Sequence, residues 1–509
     1  MERLFCDLKN GLHIVRFEWF KHLLGLLFCL LIGTQSLQAK ATPPIEVAIS
    51  NLELEQATIL SFKLPEEKLR WYYQTKILFV RYLIDESPQL FSSFLDHSKR
   101  GIRALQAMPD GDPQRDVICA EIFFLRGALK ALEKKTVSSA VDIKSACTLI
   151  YRNSQRYPDN VEQQKLLGIF NIAISSIPRK LKWLGNVLCF NGNLQLGVRQ
   201  LQNAASESQL FPDEASLMLF YFEKNLLERP VSAVNRAKAL CAKQPESIVY
   251  HYLLLSAYLE NRQIDQAIAL VNTKEAALLA NPAAETLPVW FYSRAKAHFY
   301  RLEYKACIRQ CDKFLNSYHG KTLYADALYK KGMALILDDR YEASKPIFQQ
   351  LTKVENSSFD VDEYARSQAA VYLVQAPSSI EKKLYEARNL FDGGYYDRSL
   401  AILNALDIGS LNENELCERN YRFARNWQEL DSIPLARTHF QSCSLSKPGK
   451  SLWMKVYGIY YWGRLEEKEG NFDLANQLYK TALGFDKYDY QSGLEQRCKA
   501  AIHQLKGKK

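Results

Sequence analysis

One spacing constrains this chain more than any other feature. A small residue, a short turn, an aromatic or branched apolar residue and then small and large apolar residues at helical intervals return roughly every 34–40 residues. The last copy shows the logic. Trp462-Gly463 lies on a first helix, Gly470-Asn471-Phe472 makes the turn, and Ala475, Tyr479 and Ala482 follow at i, i+4 and i+7 on a second helix. Small residues let two antiparallel backbones approach, and large apolar ones fill the groove around them.

The pattern recurs upstream with Ala424, Ile433, Ala436, Phe440, Cys443 and a closing Pro448, where proline ends the second helix. It recurs again with Gly332, Tyr341, Ser344 and Phe348, and with Ala295, Tyr304, Cys307 and Cys311. Looser copies hold Ala387, Gly394, Tyr396 and Leu403, then Leu254, Tyr258, Ile264 and Ala267, then Phe220, Pro230 and Ala233, and finally Leu194, Gly197 and Ala204. Aligning the residue after each turn gives positions 194, 230, 264, 304, 341, 396, 433 and 472, with intervals of 36, 34, 40, 37, 55, 37 and 39 residues. The long interval must hold an additional helix or loop between Asp360 and Ser379. Units of this length and marking predict an all-α, tetratricopeptide-repeat α-solenoid, antiparallel helix pairs stacked in a superhelix.

Around the array the chain divides into three stretches. Residues 1–41 read as a signal peptide, 42–176 as a helical region with degenerate repeats, and 177–505 as the solenoid. The first rests on the uncharged run Leu23 to Gly33 after Arg16 and Lys21, followed by Ala39 and Ala41 flanking Lys40. That run is about half of the ~20 residues a membrane span needs, and retention as an anchor is the alternative. The second stretch carries apolar residues at helical spacing, as in Trp71, Tyr72, Ile77, Val80 and Leu83, without clear repeat marks. At its end, Leu166 to Ile177 is apolar almost all round and precedes Arg179, Lys180, Lys182 and Trp183. Such a helix is buried between neighbours or sits in lipid. Burial is the expectation, and a membrane surface is the alternative partner.

With 66 basic and 56 acidic residues the chain carries +10, and losing residues 1–41 leaves +8. These charges are dispersed, with no basic stripe of the kind nucleic acid requires, so no nucleic-acid partner is expected. The eleven cysteines form no C-x-x-C, and Cys307 and Cys311, one helical turn apart, are expected to fill small interior positions. His439 and Cys443 have no further metal ligands near them in sequence, and zinc needs three or four. Glu466-Glu467 read as solvated charge on an exposed helix face rather than as an acid–base pair. No catalytic residue, metal site or cofactor is expected.

Two stretches, Leu167 to Pro178 and Phe190-Asn191-Gly192-Asn193 with Gly197, resemble the central motif of the tetratricopeptide repeat protein 39 family. Its eukaryotic members are associated with the outer mitochondrial membrane and inclusion-body clearance. Leu390 to Tyr396 and Tyr490 to Ala500 are similar to exported repeat proteins of Bacteroidota. The two likenesses together span roughly residues 110 to 505. They imply a repeat architecture and carry over no catalytic residue. The signal peptide departs from the eukaryotic pattern, which points to the periplasm or an outer-membrane-associated place instead.

A solenoid of this kind binds along the concave groove lined by its first helices. Twelve residues before each aligned position stand Tyr252, Tyr292, Tyr329, Leu384, Tyr421 and Tyr460, and eight before it stand Ser256, Lys296, Met333, Arg388, Arg425 and Arg464. Tyrosines offer area at low entropy cost and arginine grips carboxylates with two hydrogen bonds. The expected partner is therefore a protein or peptide, with an acidic one fitting best. Packing of the tyrosines on the next unit is the competing explanation.

Overall fold

A computed structural model of the chain describes residues 43–175, 192–227, 229–279, 288–354, 360–449 and 452–505. The signal-peptide reading of 1–41 and the basic, tryptophan-bearing residues 179–183 lie outside these. Among the described residues there are 24 α-helices and no strand.

The amino-terminal helices are α1 (Pro44–Ser50), α2 (Leu54–Phe62), α3 (Glu67–Asp85), α4 (Pro88–Ala107), α5 (Pro113–Leu132), α6 (Thr136–Arg156) and α7 (Gln164–Ser175). After them come α8 (Leu194–Glu207), α9 (Pro212–Asn225), α10 (Pro230–Lys243), α11 (Ile248–Glu260) and α12 (Ile264–Leu279). The next group is α13 (Val289–Tyr300), α14 (Tyr304–Ser317), α15 (Tyr324–Leu337), α16 (Tyr341–Thr352), α17 (Asp360–Val374), α18 (Ser379–Asp392) and α19 (Tyr396–Asn404). The chain closes with α20 (Glu413–Glu429), α21 (Ile433–Leu445), α22 (Leu452–Lys468), α23 (Phe472–Leu483) and α24 (Gln491–Leu505).

All eight aligned positions are the first residue of a second helix, from Leu194 of α8 to Phe472 of α23. The turn before six of them has one construction. Arg262, Leu302, Asp339, Gly394, Asp431 and Gly470 take the left-handed conformation, with φ between 54° and 83°. The left-handed residue donates its N–H to the carbonyl three back, and the next residue donates to the carbonyl five back, as Asp431 to Gln428 and Ser432 to Trp427. This satisfies the orphan carbonyls of the first helix and reverses the chain within three residues. Lys134 (φ 57°) between α5 and α6, and Leu52 (φ 60°) between α1 and α2, make the same bonds. Repeat construction therefore reaches upstream of the region where side-chain marks are readable. Those marks fade because the turn is specified by backbone bonding that many residues can supply.

Within a pair, small residues stand where large ones press. A Cβ on Gly463 would lie 2.7 Å from the Tyr479 ring, and one on Gly332 would lie 2.6 Å from Phe348. Cys307 and Cys311 are fully buried, as their spacing predicts. The apolar stretch on α7 is also buried, with Leu166 and Ile172 at 0% exposure and Ile169 at 1%, so its described part lies in protein rather than at a surface. No helix among the described residues is long and apolar enough to cross a membrane.

The 55-residue interval holds one additional helix, α17. It is integrated rather than appended: Asp362 accepts the backbone N–H groups of Leu323 (3.0 Å) and Asp326 (2.8 Å), capping α15, and Tyr364 and Tyr372 pack on Tyr329.

One apolar core runs from Ile45 to Ala327, and the carboxy-terminal repeats are held by several smaller clusters. Inside the large core sits a charged network. Glu214 of α9 accepts Lys76 on one carboxylate oxygen (2.7 Å), Lys165 on the other, and the Tyr72 hydroxyl (2.5 Å). Lys76 also donates to Glu46 (2.8 Å), and Lys165 stands 2.9 Å from Glu121. All five charged side chains are at most 1% exposed. Helices α1, α3, α5, α7 and α9 are joined through this network.

Candidate functional site

The two rows of groove positions separate in the structure. Tyr292, Tyr329 and Tyr460 are buried, at 8%, 3% and 6%, and Leu384 of the same row is at 1%. Tyr252 and Tyr421 are half-buried. This row mainly packs helices against one another: Tyr460 lies on Tyr479, and Tyr329 on Phe348. The second row is more accessible. Lys296, Arg388, Arg425 and Arg464 are all half-buried, and Met333, at 1%, is the buried exception.

Its cations have carboxylates beside them. Arg388 Nε stands 3.7 Å from Asp392, Arg425 3.4 Å from Glu429 and Arg464 3.9 Å from Glu467, each on the same helix, and Lys296 stands 3.4 Å from Glu260 across to α11. Lys296 draws the Glu260 carboxyl down to about 2. Arg425 is further committed, its guanidinium lying 3.7 Å from the centre of the Tyr461 ring and 5.6 Å from that of Phe391. The row thus has far less net positive charge than its residue types imply, because the three arginines have a counter-charge about one turn away on their own helix and Lys296 has one on α11.

Four of the nine residues singled out from sequence, Tyr292, Lys296, Tyr329 and Arg388, meet around one cavity of about 170 Å³. Tyr252, Tyr421, Arg425, Tyr460 and Arg464 do not line it. The same cavity is lined by Tyr300, Asp326, Lys330, Tyr364, Tyr385, Asn389, Asp392 and Tyr490. Asp326 is occupied by the Tyr292 hydroxyl and by Lys330, both at 2.5 Å. Tyr385 hydrogen-bonds through its hydroxyl to that of Tyr329 at 3.2 Å, and the Arg388 guanidinium lies over the Tyr385 ring at 5.4 Å. Burial pushes the hydroxyls of Tyr292, Tyr300, Tyr329 and Tyr385 above their ordinary titration range, so they stay protonated and able to donate. Asn389, 1% exposed, leaves its side-chain nitrogen without a hydrogen-bond partner at the cavity wall.

The missed residues come from three causes. Tyr364 sits on the additional helix, outside the repeat register. Tyr490 precedes α24 and reaches the cavity through superhelical closure, packing on Tyr364 with ring centres 6.0 Å apart. Asp326 and Asn389 lie in register, but the spacing argument selected only two positions per helix.

The superhelix is drawn together at this level. The turn of α11–α12 meets the turn of α18–α19, where Tyr395 donates to Asp265 at 2.7 Å, and Arg262 pairs with Glu429 of α20 at 2.8 Å. Tyr304 donates to Glu386 at 3.2 Å across two further units. The cavity is therefore backed by contacts between non-adjacent repeats. It is smaller than the ~300 Å³ at which drug-sized ligand sites begin, and suits one side chain or chain end of a larger partner.

Other residues weighed from sequence take structural places. His439 stacks on Phe423 at 4.6 Å, and Cys443 turns toward Cys417. Glu466 corrects an expectation: it is buried at 1% rather than solvated, and it accepts Arg437 (2.5 Å), Trp462 (3.0 Å) and Asn471 (2.7 Å). The arginine comes from the preceding repeat, which the local sequence around Glu466 does not show.

Helix pairs with one turn construction, stacked about a concave lining, make this chain a tetratricopeptide-repeat-type helical protein. Residues 166–390, somewhat under half of the 509, match the family described as Iml2/Tetratricopeptide repeat protein 39. Among solved structures, a monomeric mutant of IFIT1 with Gppp-AAAA is similar at 12% identity and a TM-score of 0.30, covering 87% of this chain and 95% of that one. The Cut9 and Hcn1 hetero-tetramer of APC/C is similar at 9% identity and a TM-score of 0.30, covering 89% and 95%. No curated protein matches the sequence.

Proposed function

We propose that this chain is an exported, non-catalytic scaffold in the periplasm or at the outer membrane that holds a protein or peptide in its concave groove. An acidic or carboxylate-bearing group of the partner sits in the cavity between α13, α15 and α18. The observation that carries this reading is the convergence of Tyr292, Lys296, Tyr329 and Arg388, chosen from repeat register alone, on one cavity that also holds the unpartnered side-chain nitrogen of Asn389. Three cations, Lys296, Lys330 and Arg388, stand against two carboxylates on the wall, Asp326 and Asp392, and together with the tyrosine hydroxyls and the Asn389 nitrogen they favour an acceptor group. Export is supported by the apolar run Leu23 to Gly33 and the Ala39/Ala41 site.

A photo-crosslinking residue placed at Tyr385, beside the cavity, and separately at Val141, an exposed position on α6, tests the reading in producing cells. The expected result is a discrete crosslinked partner from position 385 and none from 141. The same partner captured equally from both positions, or from 141 alone, would contradict it.

A further inference from the structure

We infer that Cys417 and Cys443 form a redox-closable pair, a disulfide site that staples the open end of the α20–α21 hairpin. Eight cysteines are described, all as free thiols, and seven of them are buried. Cys307 and Cys311 share one helix, so they line one face rather than oppose each other. Cys417 and Cys443 differ in geometry. They face each other from the two antiparallel helices of one repeat, each fully buried, with their sulfurs 3.5 Å apart.

A disulfide needs the sulfurs at about 2.05 Å, so each must move by less than about 1 Å. Gly458 packs on the other side of Cys443, close enough that a Cβ there would lie 3.3 Å from its sulfur. Among the described residues the apolar cluster at this site is a small one. Cys417, Cys443 and Met454 form a three-residue cluster of their own, separate from the clusters on either side. In a solenoid each unit is held only by its neighbours, so a covalent closure at such a point restrains local unzipping.

The chemistry is thiol–disulfide exchange with a low-molecular-weight or protein disulfide as oxidant. One cysteine thiolate attacks the oxidant and releases one thiol. The second cysteine then displaces the other half. Two S–H bonds and the oxidant's S–S bond are exchanged for one Sγ–Sγ bond and two thiols, which take up the two protons. Because both sulfurs are covered, exchange proceeds through opening of the hairpin end near Leu445, itself 80% exposed. This inference stands apart from the groove reading.

The test is oxidative refolding of the full chain in a reduced/oxidised glutathione buffer, followed by alkylation and non-reducing peptide mapping. The expected result is a linked pair of peptides carrying Cys417 and Cys443, and a melting temperature a few degrees above that of the reduced protein. Cys443→Ala should lose that rise and Cys307→Ala should keep it. Recovery of both residues as alkylated free thiols, their linkage to other cysteines, or linkage without a rise in melting temperature would overturn the inference. The mapping on the unsubstituted chain decides the pairing even where a variant fails to fold.

Discussion

Gly394 stands against the backbone carbonyl of Arg262, so close that any Cβ on it would overlap that oxygen. The two residues are the left-handed positions of two turns several helices apart, and their contact helps to close the superhelix behind the cavity. Gly470 occupies the equivalent position in the last repeat with nothing within 4 Å of its would-be Cβ. Both have φ near 80°. Gly470→Ala should cost only the left-handed strain of about 1–2 kcal/mol. Gly394→Ala should cost a further ~1–3 kcal/mol from overpacking. Urea unfolding of the two variants checks the difference, and equal losses would show that the turn-to-turn contact carries no weight.

The buried network predicts unequal roles for its carboxylates. Glu214 accepts both lysines and Tyr72, and against burial, which pushes it up, the two ammonium groups hold its carboxyl down to about 2. Glu214→Gln leaves Lys76 and Lys165 under-compensated and should cost about 3–5 kcal/mol, read by denaturant unfolding at neutral pH.

Glu121 lies on the opposite side of the balance. Three carboxylates face two ammonium groups, and burial raises the Glu121 carboxyl to about 7. Between the usual carboxylate range and about pH 7 the folded chain keeps a proton that the unfolded chain has released, so this group makes stability fall as pH rises through that window. Glu214, with its depressed value, acts in the other sense: its contribution is present at neutral pH and is lost as pH falls toward 2. Glu121→Gln should therefore match the unsubstituted protein at pH 5 and exceed it at pH 8, measured as melting temperature against pH. A variant weaker at pH 8 would contradict the assignment.

Glu466 joins two repeats through Arg437, and Glu466→Ala should destabilise the carboxy-terminal units by about 1–3 kcal/mol, because it removes the acceptor of the Trp462 and Asn471 donors while Arg437, 31% exposed, turns to solvent. Hydrogen exchange confined to α20–α24 would show it.

Much of the fold was legible because repeat packing writes itself into side-chain size. Gly332 under Phe348 and Gly463 under Tyr479 are contacts that one sequence can announce. The amino-terminal pairs were less legible, since Lys134 and Leu52 make the same turn through backbone bonds that leave no residue signature. The site was half legible. Register placed Lys296 and Arg388 on the accessible row and Tyr292 at the cavity, but it treated Tyr460 as groove surface when its ring is core. Counter-charges such as Asp392 were visible in the sequence at i+4 and went uncounted. Long-range partners such as Tyr490 and Arg437 become neighbours only through superhelical closure and repeat stacking.

The central claim is that the cavity at Lys296 and Arg388 takes part in holding the partner. The direct measurement is the affinity of the crosslink-identified partner for the purified chain and for Lys296→Gln/Arg388→Gln, with Lys144→Gln on the exposed face of α6 as control. The double variant should bind at least about tenfold more weakly with its melting temperature within a few degrees of the parent, since lost charge-assisted contacts cost about 1.4 kcal/mol or more. Equal affinity for the double variant and the parent would contradict the account.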